Sequence, residues 1–291
     1  MHTSRRRKAT AVAAAALALV PATAYAATIQ GGPGNERLRG TRAADVIDGN
    51  AGNDRIFGLA GDDRLTGGRG NDRIFGSSGT DTISGVQGND WLNGGGGNDT
   101  ISGDANNTGD RTSFDHIFGA AGDDVLHGGD SRDRIYGGSG NDTSFGENGN
   151  DRMAGGTGND NQDGGAGNDT IFANLGQDVS AGGEGNDTLW ALARGDVHPG
   201  AGGAVDQAGD TLSGGNGDDT FRTRDGEVDR IDCGPGNDTA FLDRVDVIVD
   251  ASAAAPNGSC ERVVRRAANR GRGQSKSEDA QQSPKDERRK S

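Results

Sequence analysis

Bulky apolar side chains are scarce in this 291-residue chain, where 30% of residues are hydrophobic and only 4% aromatic. That scarcity excludes a core built mainly of large side chains. Histidine is nearly absent: beyond His2 there are only His116, His127 and His198, with no recognisable Ser/His/Asp set around them. Gly-x-Gly stretches abound, yet no P-loop lysine follows one and no strand–helix unit surrounds one. No segment outside the repeats described below is long enough to form a catalytic domain, so no enzymatic activity is expected. The longest apolar stretch, Ala9 to Val20, is too short to anchor the chain across a bilayer.

What the chain has in excess is glycine, at 54 positions where average usage predicts roughly 20. It also has 44 acidic against 30 basic residues. The imbalance is concentrated in residues 31–260, which hold 16 basic and 39 acidic groups, a net of −23. A body so charged repels nucleic acid and attracts cations.

The two ends differ from this body. Arg5, Arg6, Arg7 and Lys8 precede the apolar stretch, and Ala24-Tyr25-Ala26 follows it as an A-x-A cleavage signature. Residues 1–26 therefore read as a secretory signal peptide, by the general route rather than the twin-arginine one, and the mature protein is expected outside the cell. Residues 267–291 are polar and charged with nothing aliphatic beyond alanine, and they read as a disordered basic tail. In an oxidising compartment the only two cysteines, Cys233 and Cys260, are expected to pair. The chain-entropy account gives such a bridge about 3–4 kcal/mol.

An internal repeat organises everything between. From Gly49 the chain reads GNAGNDRIF, GLAGDDRLT, GGRGNDRIF, GSSGTDTIS, GVQGNDWLN and GGGGNDTIS without a residue gained or lost. Each unit is Gly-x-x-Gly-x-Asp-x-apolar-x. The phase reaches back to Gly31 and forward to Asp238, which gives 22 units with Asp at position six in 21 of them. Glycines at positions one and four are expected to allow a tight turn with left-handed backbone angles. Ala173 and Ala191 open two units where glycine is the rule, which leaves those turns in doubt.

The nonapeptide resembles that of the repeats-in-toxin, or hemolysin-type, calcium-binding family, GGxGxDxUx with U a large apolar residue. The resemblance spans residues 31 to about 241. It implies an all-β fold, a right-handed parallel β-roll with two units per 18-residue turn, about eleven turns and a rod roughly 50 Å long. The last three residues of each unit would form a short strand with position eight inward. Residues 242–266 would form a C-terminal cap, as in similar Asp/Cys-rich endings of secreted actinobacterial proteins of this family.

The resemblance also names a cofactor, several calcium ions. Calcium takes six to eight oxygens. One Gly-x-x-Gly-x-Asp turn supplies too few, so the turn two units on must supply the rest. The metal ligands expected are Asp45, Asp63, Asp81, Asp99, Asp124, Asp142 and Asp160 on one edge. The other edge carries Asp54, Asp72, Asp90, Asp115, Asp133, Asp151, Asp169 and Asp187, and Asp219 and Asp238 extend the array. Degraded partners make Asp133, with Ser131 at position four, Asp178 and Asp196 the weakest positions.

At position seven, arginine (Arg37, Arg55, Arg64, Arg73, Arg134, Arg152, Arg230) and threonine should form a solvated outer face, the arginines offsetting repulsion along the aspartate rows. An ice-binding or adhesive threonine rank finds little support, since Thr170, Thr188 and Thr211 would stack three turns at most. The Asn-Asp-Thr sequons at Asn98, Asn141, Asn168, Asn186 and Asn237 follow from the repeat phase and read as incidental. The expected partners are calcium ions and, through the basic tail, anionic cell-wall polymers; the chain is expected to be a monomer.

One irregularity stands out at position eight. Odd units run Leu38, Ile56, Ile74, Leu92, Ile117, Ile135, Met153, Ile171, Leu189, Leu212, Ile231, all apolar. Even units begin Ile47, Leu65, Ile83, Ile101, Leu126, lapse to Ser144, Gln162, Ser180 and His198, then resume at Phe221 and Ala240. Three readings fit: erosion with polar groups inside, a one-residue slip that turns Phe145, Val179 and Val197 inward, or a ligand groove. Under any of them the turn around Gln162 should be the weakest.

Overall fold

The computed structural model describes residues 25–104, 113–191, 209–252, 255 and 257–266. Within them lie 24 strands and no helix, hence none long and apolar enough to cross a membrane. Residues 1–24 of the signal peptide, His198, Asp196 and the basic tail fall outside the described residues.

Successive strands alternate between two parallel sheets of twelve, and each strand pairs with the one two places on. The chain is thus a parallel β-solenoid, as the repeat implied. Each 18-residue turn adds one rung to both sheets: Ile47 pairs with Leu65 and Ile56 with Ile74. The first sheet opens with Thr28–Gln30 and ends with Val247–Ile248; the second opens with Arg37–Arg39 and ends with Arg262–Arg265. The segment after the repeats therefore continues both sheets, and the Cys233–Cys260 disulfide links their ends across the roll.

Position eight makes the core. Ile47, Leu65, Ile83, Ile101 and Leu126 of the first sheet face Ile56, Ile74, Leu92, Ile117, Ile135, Met153 and Ile171 of the second in one cluster, each buried. One branched side chain per strand fills so narrow a coil, which is how an apolar-poor sequence folds at all.

Strands are longer than the repeat suggested. Most run six residues, such as Arg55–Ala60, and include positions one to three of the following unit. The left-handed residues accordingly lie at positions two and four, not one and four. Gly61 at position four has φ 105°, and position two is left-handed even where it is Leu59 (φ 90°), Val86 (φ 89°) or Asn174 (φ 78°). Glycine at position one serves a different end, set by the aspartates.

The lapse in the first sheet is three rungs deep. Ser144, Gln162 and Ser180 are all buried and keep register between Leu126 and Leu212. Val179 is 50% exposed, and Phe145 lies outside, stacked on His127 at 5.0 Å. The slip is thereby excluded: ladder register outweighs the gain from turning two apolar side chains inward. Gln162 satisfies its own burial. With its amide turned to satisfy both ends, its nitrogen donates to Ser180 Oγ (3.1 Å) and the Phe172 carbonyl (3.1 Å) and its oxygen accepts from the Gly155 amide (2.9 Å), so it clips two rungs of the opposite sheet. Ser144 Oγ, by contrast, has no partner. The apolar core ends here and a second cluster, from Leu189 to Cys260, begins beyond.

The sequence phase also fails after Ala191. Val179 pairs directly with Thr211, 32 residues on where one turn is 18, so the described rungs of the first sheet pass from Val179 to Thr211. Downstream units change sides as a result. Leu212 and Ile231 join the first sheet, Phe221 and Ala240 the second. The threonine rank becomes Thr170, Thr188, Thr220 and Thr239, while Thr211 stands on the other sheet between Val179 and Arg230.

Removing an unpartnered buried hydroxyl should stabilise the roll, whereas removing a satisfied buried amide should not. Ser144→Ala is expected to raise the urea midpoint of the calcium-loaded protein by about 1 kcal/mol equivalent. Gln162→Ala should lower it by about 2–4 kcal/mol through lost hydrogen bonds and a cavity. A midpoint for Gln162→Ala at or above wild type contradicts the clip.

Candidate metal centre

Every position-six aspartate in the described repeats is buried. The cause is local: the turn at positions four to six folds the side chain back against the position-one glycine of its own unit, as Asp63 lies against Gly58. There each Oδ1 accepts the backbone N–H of the aspartate one rung earlier, at 2.7–3.0 Å. The two edges are separate ladders. One runs from Asp45 through Asp63, Asp81, Asp99, Asp124, Asp142 and Asp160 to Asp178, Asp210 and Asp229. The other runs from Asp54 through Asp72, Asp90, Asp115, Asp133, Asp151, Asp169, Asp187 and Asp219 to Asp238.

All seventeen aspartates expected from the repeat take places in these ladders. Asp133 is among them despite Ser131, which adopts the left-handed angle itself (φ 85°). Asp178, Asp210 and Asp229, counted among the repeat aspartates but left out of the expected ligands, are ladder members too. For Asp210 and Asp229 the only signal was Asp followed by Thr-Leu or Arg-Ile in strand phase; the glycines before them are irregular.

The second carboxylate oxygen is the chemically telling one. Oδ2 of Asp54, Asp63, Asp72, Asp81, Asp90, Asp99, Asp124, Asp133, Asp142, Asp151, Asp160, Asp169, Asp187, Asp219 and Asp238 is buried without a hydrogen-bond donor. A Cβ added to Gly58 would collide with Asp63 Oδ2 and with the Gly76 carbonyl oxygen; the position-one glycines from Gly49 to Gly214 all face their aspartate's Oδ2, and most face a carbonyl oxygen as well. Position-one glycine thus clears a cradle in which a carboxylate oxygen and a carbonyl oxygen converge. Two acceptors facing one space call for a cation between them, and oxygen ligands from backbone and carboxylate suit a hard one. The ladder residues that follow a position-one glycine fit such an ion; Asp210, Asp229 and Asp238 follow Val205, Arg224 and Cys233 in the sequence instead, and two further members differ. Asp45 Oδ2 already accepts the Thr41 amide at 2.6 Å. In front of Asp178 the buried Ala173 places a methyl at position one.

The chain matches the RTX calcium-binding nonapeptide repeat family over residues 30–65, 57–87, 75–108, 112–144, 145–180, 163–189 and 206–240. It belongs to that family. No curated protein matches it. RTX repeats on a β-roll support calcium binding by this protein.

Around the RTX ladders two further rows hold the rungs. Position-five side chains accept from the rung that follows, the reverse of the aspartate direction: Asn71 N–H donates to Asn53 Oδ1 and Asn89 N–H to Asn71 Oδ1, at 2.8 and 3.0 Å. Asn141 and Asn168 of the sequons do the same for Asn159 and Asn186. Of the position-seven arginines, Arg37, Arg134 and Arg152 lie over rings, while Arg55, Arg64, Arg73 and Arg230 are exposed as expected. Arg37 sits 5.1 Å from the Phe57 centroid and Arg152 4.4 Å from Phe172. The second sheet carries nearly all these rings outside, with Phe57 on Phe75 and Phe118 on Tyr136 stacked at 5.3 and 5.1 Å.

Burial raises the ladder carboxyls first, and neighbouring carboxylates raise several further: Asp90 to about 9, Asp151 to about 8, Asp124 and Asp133 to about 7. With pKa values raised on folding, the stability they contribute is present below the unfolded value near 3.8 and lost as pH rises through about 6 to 9. In chelator, the β circular-dichroism signal should therefore be larger at pH 5 than at pH 9. Excess calcium should abolish or invert that order; a chelated sample whose signal grows with pH contradicts the electrostatic account.

Proposed function

We propose that this RTX protein is a secreted calcium-binding rod whose two aspartate ladders take up calcium outside the cell and fold as they do so. The observation that carries the reading is the row of buried, donor-free Oδ2 oxygens beside position-one carbonyls. The ligands would be Asp54, Asp63, Asp72, Asp81, Asp90, Asp99, Asp115, Asp124, Asp133, Asp142, Asp151, Asp160, Asp169, Asp187, Asp219 and Asp238, with Asp45 the poorest. Bound calcium supplies positive charge between carboxylates that otherwise repel at rung spacing. The chain's own part is to bury the carboxylates, fix Oδ1 by the ladder bond and leave Oδ2 open.

Because such a site does not exist in the unfolded chain, binding and folding are one equilibrium. Extracellular calcium modules bind with constants of about 10⁻⁴–10⁻³ M. That range keeps the chain extended where calcium is low and folds it after export. The role is binding and structure, not catalysis, and the protein is taken to act as a monomer.

A calcium titration followed by circular dichroism should convert a largely unfolded chelated protein to β structure at millimolar calcium. Magnesium at the same concentration should not, because it demands tighter octahedral geometry. An unchanged β spectrum in chelator overturns the coupling.

A second reading rests on the excess of basic residues, ten against five acidic, in residues 261–291. In it the rod is a cell-wall scaffold held by anionic wall polymers. Sedimentation with isolated walls should then fall when residues 267–291 are removed, and equal sedimentation refutes it.

A further inference from the structure

The two ladders end differently. On the second edge Asp238 N–H donates to Glu261 Oε2 at 2.7 Å, and a single carboxylate closes the row. On the first edge the last ladder member, Asp229, meets four further acids. Asp225 and Glu227 precede it in the bend Asp225-Gly226-Glu227-Val228-Asp229. Asp246 receives the Asp229 N–H at 3.5 Å, and its Oδ2 also accepts from Thr223 Oγ1 and the Asp243 amide, both at 2.7 Å.

One ligand oxygen each from Asp225, Glu227 and Asp229 lies within 4.8 Å of the others. Opposite ligands of a calcium ion stand about 4.6–5.2 Å apart, twice its bond length, so a single ion can touch all three. Asp229 is fully buried and Asp243 98% buried, and Oδ2 of each has no hydrogen-bond donor; nor has Asp225 Oδ2. The guanidinium groups beside them turn to backbone oxygens instead. Arg265 Nη1 donates to the carbonyls of Asp243 and Asp246 at 3.1 and 3.0 Å, and Arg224 Nη2 to that of Val264 at 3.3 Å. The chain thus gathers acids at one point and spends the nearby cations elsewhere.

We propose that Asp225, Glu227 and Asp229, backed by Asp243 and Asp246, form a separate calcium site outside the nonapeptide pattern that closes the first edge. It takes a hard divalent cation. Its ligands come from side chains two and four residues apart in one bend, where a ladder site draws on two rungs.

Equilibrium dialysis of the full-length protein with radioactive calcium tests this. The Asp225→Asn/Glu227→Gln variant should bind one ion fewer per chain than wild type, with an unchanged β spectrum in saturating calcium. Glu227→Gln alone, the milder change, should weaken that one ion at least tenfold should the double variant fail to fold. Equal stoichiometry and affinity in the folded variants overturn the site. The ladder reading fails separately: a wild-type chain that binds a single ion, lost in the variant, would retain this site and refute the ladders.

Discussion

The structure depends on one repeated hydrogen bond, from the amide of a position-six aspartate to the carboxylate of the next one along its edge. That bond draws a charged group into the wall of the roll and holds it there. Everything else in the repeat accommodates it. Position-one glycine removes the atom that would collide with the free oxygen, the left-handed residues at positions two and four bring the chain round, and a single branched residue at position eight fills what space remains. Burying a carboxylate without a counter-charge is unfavourable by several kcal/mol. The geometry is consequently one that favours a bound cation, and family membership agrees with that chemistry.

Much of this was legible in the sequence because solenoid structure is one-dimensional. An 18-residue register written into Gly49 to Trp190, lengthened once by seven residues before Asp115, fixes which residues neighbour which. The paired edges, the buried position eight and the seventeen aspartates followed directly. What was hidden falls into two kinds. Asn53, Asn71 and Gln162 act through side-chain hydrogen bonds to particular backbone groups, which composition and period do not encode. After Ala191 the sequence still reads as a further unit (Asp196, His198), although the described ladder bond runs from Asp178 directly to Asp210.

Polar substitution inside the roll also took a form that periodicity alone could not resolve. Ser144, Gln162 and Ser180 stay inward because moving them would break the register of three rungs and the carboxylate bonds attached to it. Backbone and ladder bonds thus outrank apolar burial in this fold, the reverse of the usual order in a globular core. The same ranking lets Leu59 and Val86 adopt left-handed angles that favour glycine.

The aspartate bond has a direction, and so therefore does the rod. Each rung offers N–H groups toward the C-terminus and receives them from the N-terminal side. Loss of the first rung would leave carboxylate oxygens facing water, which solvates them well. Loss of the last would leave buried amides without acceptors, and Asp246 and Glu261 stand where that would happen. The C-terminal end is accordingly where acids and the disulfide are concentrated, while the N-terminal end begins with the plain amides of Ala27 and Glu36. Assembly of such a rod is polarised: a rung becomes self-sufficient only when the chain on its C-terminal side is already in place.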